Sequence, residues 1–180
     1  MAITTDDIKA LRDETGVSVM QCKKALEEAG GDRAKAVIIL RKKGSAIAAK
    51  KAGRQLGAGI IQAYVHNTKN VAAMVHLACE TDFVAKNEEF VKLAYDIAMQ
   101  VAATNPSYLS RADITPAVME KAKEEILSGK LDTYFKDKVL LEQNFVKDPD
   151  RTIQGLIETA TQKFGERIEI VKFVRFGTSE

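Results

Sequence analysis

Residues 71–101 read VAAMVHLACETDFVAKNEEFVKLAYDIAMQV, and the division of this stretch decides the fold. Val71 to Cys79 is an apolar-rich run of strand length. From Asn87 the pattern changes to helix: Asn87 is a good N-cap, Glu88 and Glu89 suit a first turn, and Phe90, Leu93, Ala94, Ile97, Ala98 and Val101 form an apolar stripe. Lys92 and Asp96, four apart, read as a pair on its other side. Between strand and helix lies Thr81-Asp82-Phe83-Val84-Ala85-Lys86-Asn87. Such junctions are normally polar, so an aromatic held between aspartate and valine is either folded back into the core or offered to a partner. The residues alone leave both open.

Working outward, Ile60–His66 and Val71–Cys79 are joined by Asn67-Thr68-Lys69-Asn70 and read as a hairpin. A turn centred on Thr68-Lys69 sets Ile61 opposite His76, Ala63 opposite Met74 and Val65 opposite Ala72. The chain closes with another strand, Glu166 to Phe176. Strict alternation puts Ile168, Ile170, Val174 and Phe176 on one face, Val171 and Phe173 on the other. Asn105-Pro106 ends the long helix. Thr115-Pro116 opens another that reaches Ser128-Gly129; further helices are expected over Leu131–Glu142 and Asp150–Phe164.

Residues 1–43 read as three short helices. Thr4 or Thr5 caps the first, with Ile8, Leu11 and Thr15 on one side, and Gly16 ends it. Ser18 and Gln21 have capping-box spacing for the second. Asp32 caps a third that carries Ala36, Val37 and Leu40 and stops at Gly44. A basic Ala/Lys/Gly linker then spans residues 44–56, and residues 57–180 form the main body. The fold class is α+β: a three-helix bundle, then a core with a small antiparallel sheet packed against helices.

The 180 residues are 46% apolar and 29% charged, the balance of a globular protein. No apolar run is long enough to span a bilayer, and Thr4, Thr5, Asp6 and Asp7 show no basic-then-apolar signal pattern, so a soluble intracellular protein is the expectation. Cys22 and Cys79 suggest no disulfide framework, and the strand parity of His76 and Cys79 points them apart, against a metal site. Phosphate-cradling glycine loops, a nucleophile elbow and metal-ligand helices are missing from the sequence, which argues against an enzyme. Net charge is only +2, yet Arg33 to Cys79 holds no acidic residue and nine basic ones. Nucleic-acid binding by Lys42–Arg54 is therefore an alternative function, although no aromatic is interleaved for base stacking.

Leu11-Arg12-Asp13-Glu14-Thr15-Gly16, Cys22-Lys23-Lys24-Ala25-Leu26, Lys50-Lys51-Ala52-Gly53 and the Thr81–Asn87 turn together make the chain resemble the translation elongation factor Ts family over essentially its whole length. The resemblance implies a ubiquitin-associated-like N-terminal domain, a linker and an α+β core. It further implies a cytoplasmic guanine-nucleotide exchange factor, neither enzyme nor metalloprotein and without a cofactor, whose partner is elongation factor Tu with GDP. Carried onto this sequence, Phe83 is the wedge that enters the GTPase domain and dislocates magnesium. Asp82 is the polar contact beside it, and Thr81 and Val84 support the turn. Val19 and Met20 make a second contact. Short members of the family pair into homodimers that bind two Tu molecules, with no direct nucleic-acid or membrane partner. Gln21, His76 and Ala78 depart from residues common in the family.

Overall fold

A computed structural model describes residues 3–125 and 130–178. Its chain is α+β and divides into two compact units, Met1–Leu56 with Gly155–Ile168, and Gly57–Gln154 with Glu169–Glu180.

The first unit contains α1 (Thr5–Thr15), α2 (Val19–Glu28) and α3 (Arg33–Lys51). Each start is fixed by a side chain that satisfies an orphan amide. Thr4 Oγ1 accepts from the Asp7 amide at 3.2 Å while Asp7 accepts from the Thr4 amide at 2.9 Å. The Asp32 carboxylate accepts from the Lys35 amide at 3.0 Å. Ser18 Oγ accepts from the Gln21 amide at 3.4 Å, but the Gln21 side chain accepts from Gln162 Nε2 at 3.2 Å, so only half of the expected capping box forms. Leu11, Val17, Cys22, Ala25, Leu26, Ala36 and Leu40 are the bundle's buried core.

α3 does not stop at Gly44; it continues to Lys51. Gly44 is buried, and a Cβ there would lie 3.0 Å from Gln162 Oε1. The glycine serves close approach by a later helix, α8 (Ile153–Phe164), rather than termination. Ser45 hydrogen-bonds the Glu158 carboxylate, and Lys51 Nζ donates to the Gly165 carbonyl at 2.6 Å.

In the second unit β1 (Ala58–Val65) and β2 (Val71–Cys79) pair antiparallel, with Ile61 opposite His76, Ala63 opposite Met74 and Val65 opposite Ala72, the register set by the turn residues. After β2 come a one-turn helix, α4 (Asp82–Ala85), and α5 (Glu88–Thr104), which Asn105 closes in the left-handed conformation at φ 47°. The last strand, β5 (Glu169–Gly177), lies on the other side of β2, giving the order β1-β2-β5. It begins at Glu169, not Glu166.

The faces of β5 also differ from strict alternation. His76 pairs with Lys172 but Leu77 pairs with Ile170, so Val171 is an extra residue and the strand's parity switches there. Ile170 is buried beside Leu77, whereas Val174 and Phe176 pair with Met74 and Ala72, on the face where Ile61, Val65 and Met74 are exposed. α5 covers the opposite face, burying Phe90, Ala94, Ile97, Ala98 and Val101 together with Ala73, Val75 and Leu77.

Beyond α5, α6 (Pro116–Glu125) and α7 (Leu131–Lys138) share a small core of Ile114, Ala122, Phe135 and Val139. The expected end of α6 at Ser128-Gly129 lies outside the described residues. α7 stops at Lys138 instead of reaching Glu142, because Val139 bridges to Tyr108 and the Leu140 amide donates to the Tyr108 carbonyl at 2.8 Å. A short hairpin of β3 (Asn144–Phe145) and β4 (Asp148–Thr152) follows, so α8 begins at Ile153 rather than Asp150. Asp96 pairs with Lys147 Nζ from this hairpin's turn at 2.6 Å, the expected Lys92 contact being displaced.

Candidate partner-docking site

The Thr81–Asn87 junction is built by competing demands on one helical turn. Thr81 is extended and caps α4; its carbonyl accepts from the Ala85 amide at 3.2 Å and from Cys79 Sγ at 3.1 Å. Lys86 and Asn87 amides donate to Asp82 and Val84 carbonyls at 3.1 and 3.0 Å. Asn87 then starts α5, its Oδ1 accepting from the Glu89 amide at 2.9 Å. The turn is thus tied to the end of a central strand on one side and to a 17-residue helix on the other.

A helix advances roughly 100° per residue. Val84 and Ala85 therefore point together, and both are buried. Asp82, Lys86 and Phe83 share the remaining arc and are exposed. Phe83 is 85% exposed, the highest value among the exposed large apolar residues described. Of the two orientations open at the sequence level, the ring takes the outward one; Val84 and Ala85, not Phe83, fasten the turn to the body.

Asp82 and Lys86 form an ion pair, Lys86 Nζ to Asp82 Oδ2 at 2.9 Å. The Lys86 hydrogen bond, followed by Asp82's own amide, holds this carboxyl below the usual aspartate range. Lys86 is the residue that sequence reading missed. Its signal was there: four residues from Asp82, the spacing that makes neighbours on a helix.

Thr81, Asp82, Phe83 and Val84 are thus gathered on one turn of the second unit. Val19 and Met20 lie on the first turn of α2 in the first unit and are 54% and 67% exposed. A third apolar surface is the sheet face away from α5, where Ile61, Val65, Met74 and Phe176 are exposed. Cys22 and Cys79 are buried and neither is in a disulfide. Among the described residues, no cluster of His, Cys, Asp or Glu has metal-site geometry, and no helix is long and apolar enough to cross a membrane.

Fold and site together define an α+β protein that displays an aromatic side chain on a firmly capped strand–turn–helix mount. Comparison with known proteins adds the lineage. The family model described as elongation factor TS matches residues 39–180. The chain is 49% identical to elongation factor Ts of Thermodesulfovibrio yellowstonii over 98% of this chain and 96% of that protein. It is 43% identical to the Moorella thermoacetica elongation factor Ts, over 99% and 96% of the two chains, and 45% identical to that of Carboxydothermus hydrogenoformans, over 99% and 90%. The chain belongs to the elongation factor Ts family of translation elongation factors.

Proposed function

We propose that this protein is a guanine-nucleotide exchange factor that binds elongation factor Tu with GDP in the cytoplasm and promotes GDP release and its replacement by GTP. The observation that carries this reading is the exposed ring of Phe83 on a turn whose backbone is hydrogen-bonded on both sides. An exchange factor must bind the nucleotide-free GTPase more tightly than the loaded one; by linkage it then weakens nucleotide binding by the same factor. A ring that enters a slot formed only when partner helices shift supplies that difference, because its burial stabilises the complex by roughly 1.5 to 3 kcal/mol in one state alone. Moving those helices disturbs the magnesium ligands and the phosphate loop, where nucleotide affinity resides.

In this reading Phe83 is the wedge, Asp82 the polar contact beside it, and Thr81 and Val84 the supports of the turn. Val19 and Met20 make a second contact with the same GTPase domain. Residues 1–43 act as a ubiquitin-associated-like binding module, residues 44–56, which begin as the last part of α3, as a connector, and residues 57–180 as the dimerisation and Tu-binding core. The exposed sheet face supports a homodimer carrying two Tu molecules, since apolar patches of this kind mark interaction surfaces.

Release of fluorescent GDP from elongation factor Tu, followed by stopped flow, tests the wedge. Phe83→Ala is expected to lower the exchange rate by at least tenfold with an unchanged melting temperature. Equal release with the variant would overturn the role.

A further inference from the structure

The docking turn carries a charge pair whose use is not stability. Asp82 and Lys86 are both largely exposed, with 78% of each side chain accessible, and a pair of this kind at helical spacing contributes little to folding. What it does contribute is direction. Asp82 is the first residue of α4, where unsatisfied amides attract a carboxylate back toward the helix start. Its carboxylate is shared between its own amide there and Lys86 Nζ one turn along, and the Lys86 bond keeps Oδ2 on the arc that also holds Phe83. Any surface that closes over the Phe83 ring must also cover its neighbours on that arc and strip them of water.

We infer that Lys86 is a positioning residue of the docking turn: it holds Asp82 so that the two enter the partner interface as a neutral pair beside the Phe83 ring. This inference rests on the docking reading of the turn. Removing one member of a pair that becomes desolvated is costly because the other charge is left buried alone, whereas removing both is far less so. Lys86 therefore acts through Asp82, and its loss should appear in binding before chemistry.

The test is a double-mutant cycle on the full-length protein, read as kcat/KM and KM for GDP release from elongation factor Tu. Lys86→Met is expected to raise KM at least tenfold with kcat changed less than twofold and with an unchanged melting temperature. Lys86→Arg should restore most of the loss. The double variant Lys86→Met/Asp82→Asn should lose less than the sum of the Lys86→Met and Asp82→Asn losses, an outcome that loss of helix structure would not produce. Phe83→Ala, measured alongside, separates the two levels. If Phe83→Ala is inactive while Lys86→Met is normal, or if the two substitutions of the cycle are additive, the positioning role is overturned and the docking reading stands. If Phe83→Ala exchanges normally, the docking reading falls and this role with it.

Discussion

Gly59 and Phe83 show two opposite reasons for a residue to sit where it does. A Cβ on Gly59 would stand 2.6 Å from the Leu77 carbonyl oxygen and 2.9 Å from the Ala78 Cα, both backbone atoms that cannot rotate away. Gly59→Ala is therefore expected to destabilise by about 1 to 3 kcal/mol, read from urea unfolding, by forcing β1 away from β2. Phe83 is the reverse case: its ring touches so little of its own chain that Phe83→Ala should move stability by no more than about 0.5 kcal/mol in the same assay.

At the scale of elements, a buried amide knot holds the β3–β4 hairpin to α5. Gln100 is fully buried; its Nε2 donates to Gln143 Oε1 and the Asn144 carbonyl, each at 3.1 Å, and its Oε1 accepts from the Val146 amide at 2.9 Å. Thr104 Oγ1 adds a 2.7 Å bond to Gln143 Oε1. Gln100→Leu keeps the bulk but strands the Val146 N–H and the Asn144 carbonyl, an expected loss of about 2 to 4 kcal/mol in denaturant unfolding. The helix starts of the first unit make a pH prediction. Donation from the Thr4 hydroxyl and amide holds the Asp7 carboxyl below its ordinary value of 3.8, and donation from the Lys35 amide does the same for Asp32. Groups lowered on folding stabilise above their unfolded value and lose that contribution as pH falls through the folded one. Melting temperature should thus be insensitive to these caps from neutrality to about pH 4 and fall below it. Asp7→Asn/Asp32→Asn should flatten the acid limb, and an unaltered limb would show that the caps do not control it.

For the whole molecule the telling surface is the uncovered sheet face. Two copies related by a two-fold axis can present Ile61, Val65, Met74 and Phe176 to one another, the self-complementary arrangement of a homodimer. Ile61→Glu/Phe176→Glu should sediment as a monomer while keeping its α+β circular dichroism; a dimer surviving both charges would place the contact elsewhere.

Much of this architecture is legible one residue at a time. The caps at Thr4, Asp32 and Asn87, the left-handed stop at Asn105 and the β1–β2 register all follow from interactions within a few residues, and local sequence is sufficient for these. The Thr81–Asn87 turn was conspicuous for the same reason: an aromatic stood where polar residues are usual. Its orientation was not legible, because two packings satisfied the same pattern. Only the burial of Val84 and Ala85 against the body sends Phe83 outward and makes Lys86 its neighbour.

Interactions along the chain therefore fix most of the elements, though not α4 or the β3–β4 hairpin, together with the α+β class and the location of the unusual turn, since propensity, capping and periodicity are local. What tertiary structure alone decided are the passage of α3 through Gly44, the parity switch at Val171, the early end of α7 and the exposure of the ring. The first three depend on a partner distant in sequence: Gln162 against Gly44, Leu77 beside Ile170, Tyr108 on Val139; the fourth follows from the burial of Val84 and Ala85. A glycine or a valine carries no record of the atoms that will meet it until the chain has folded them together.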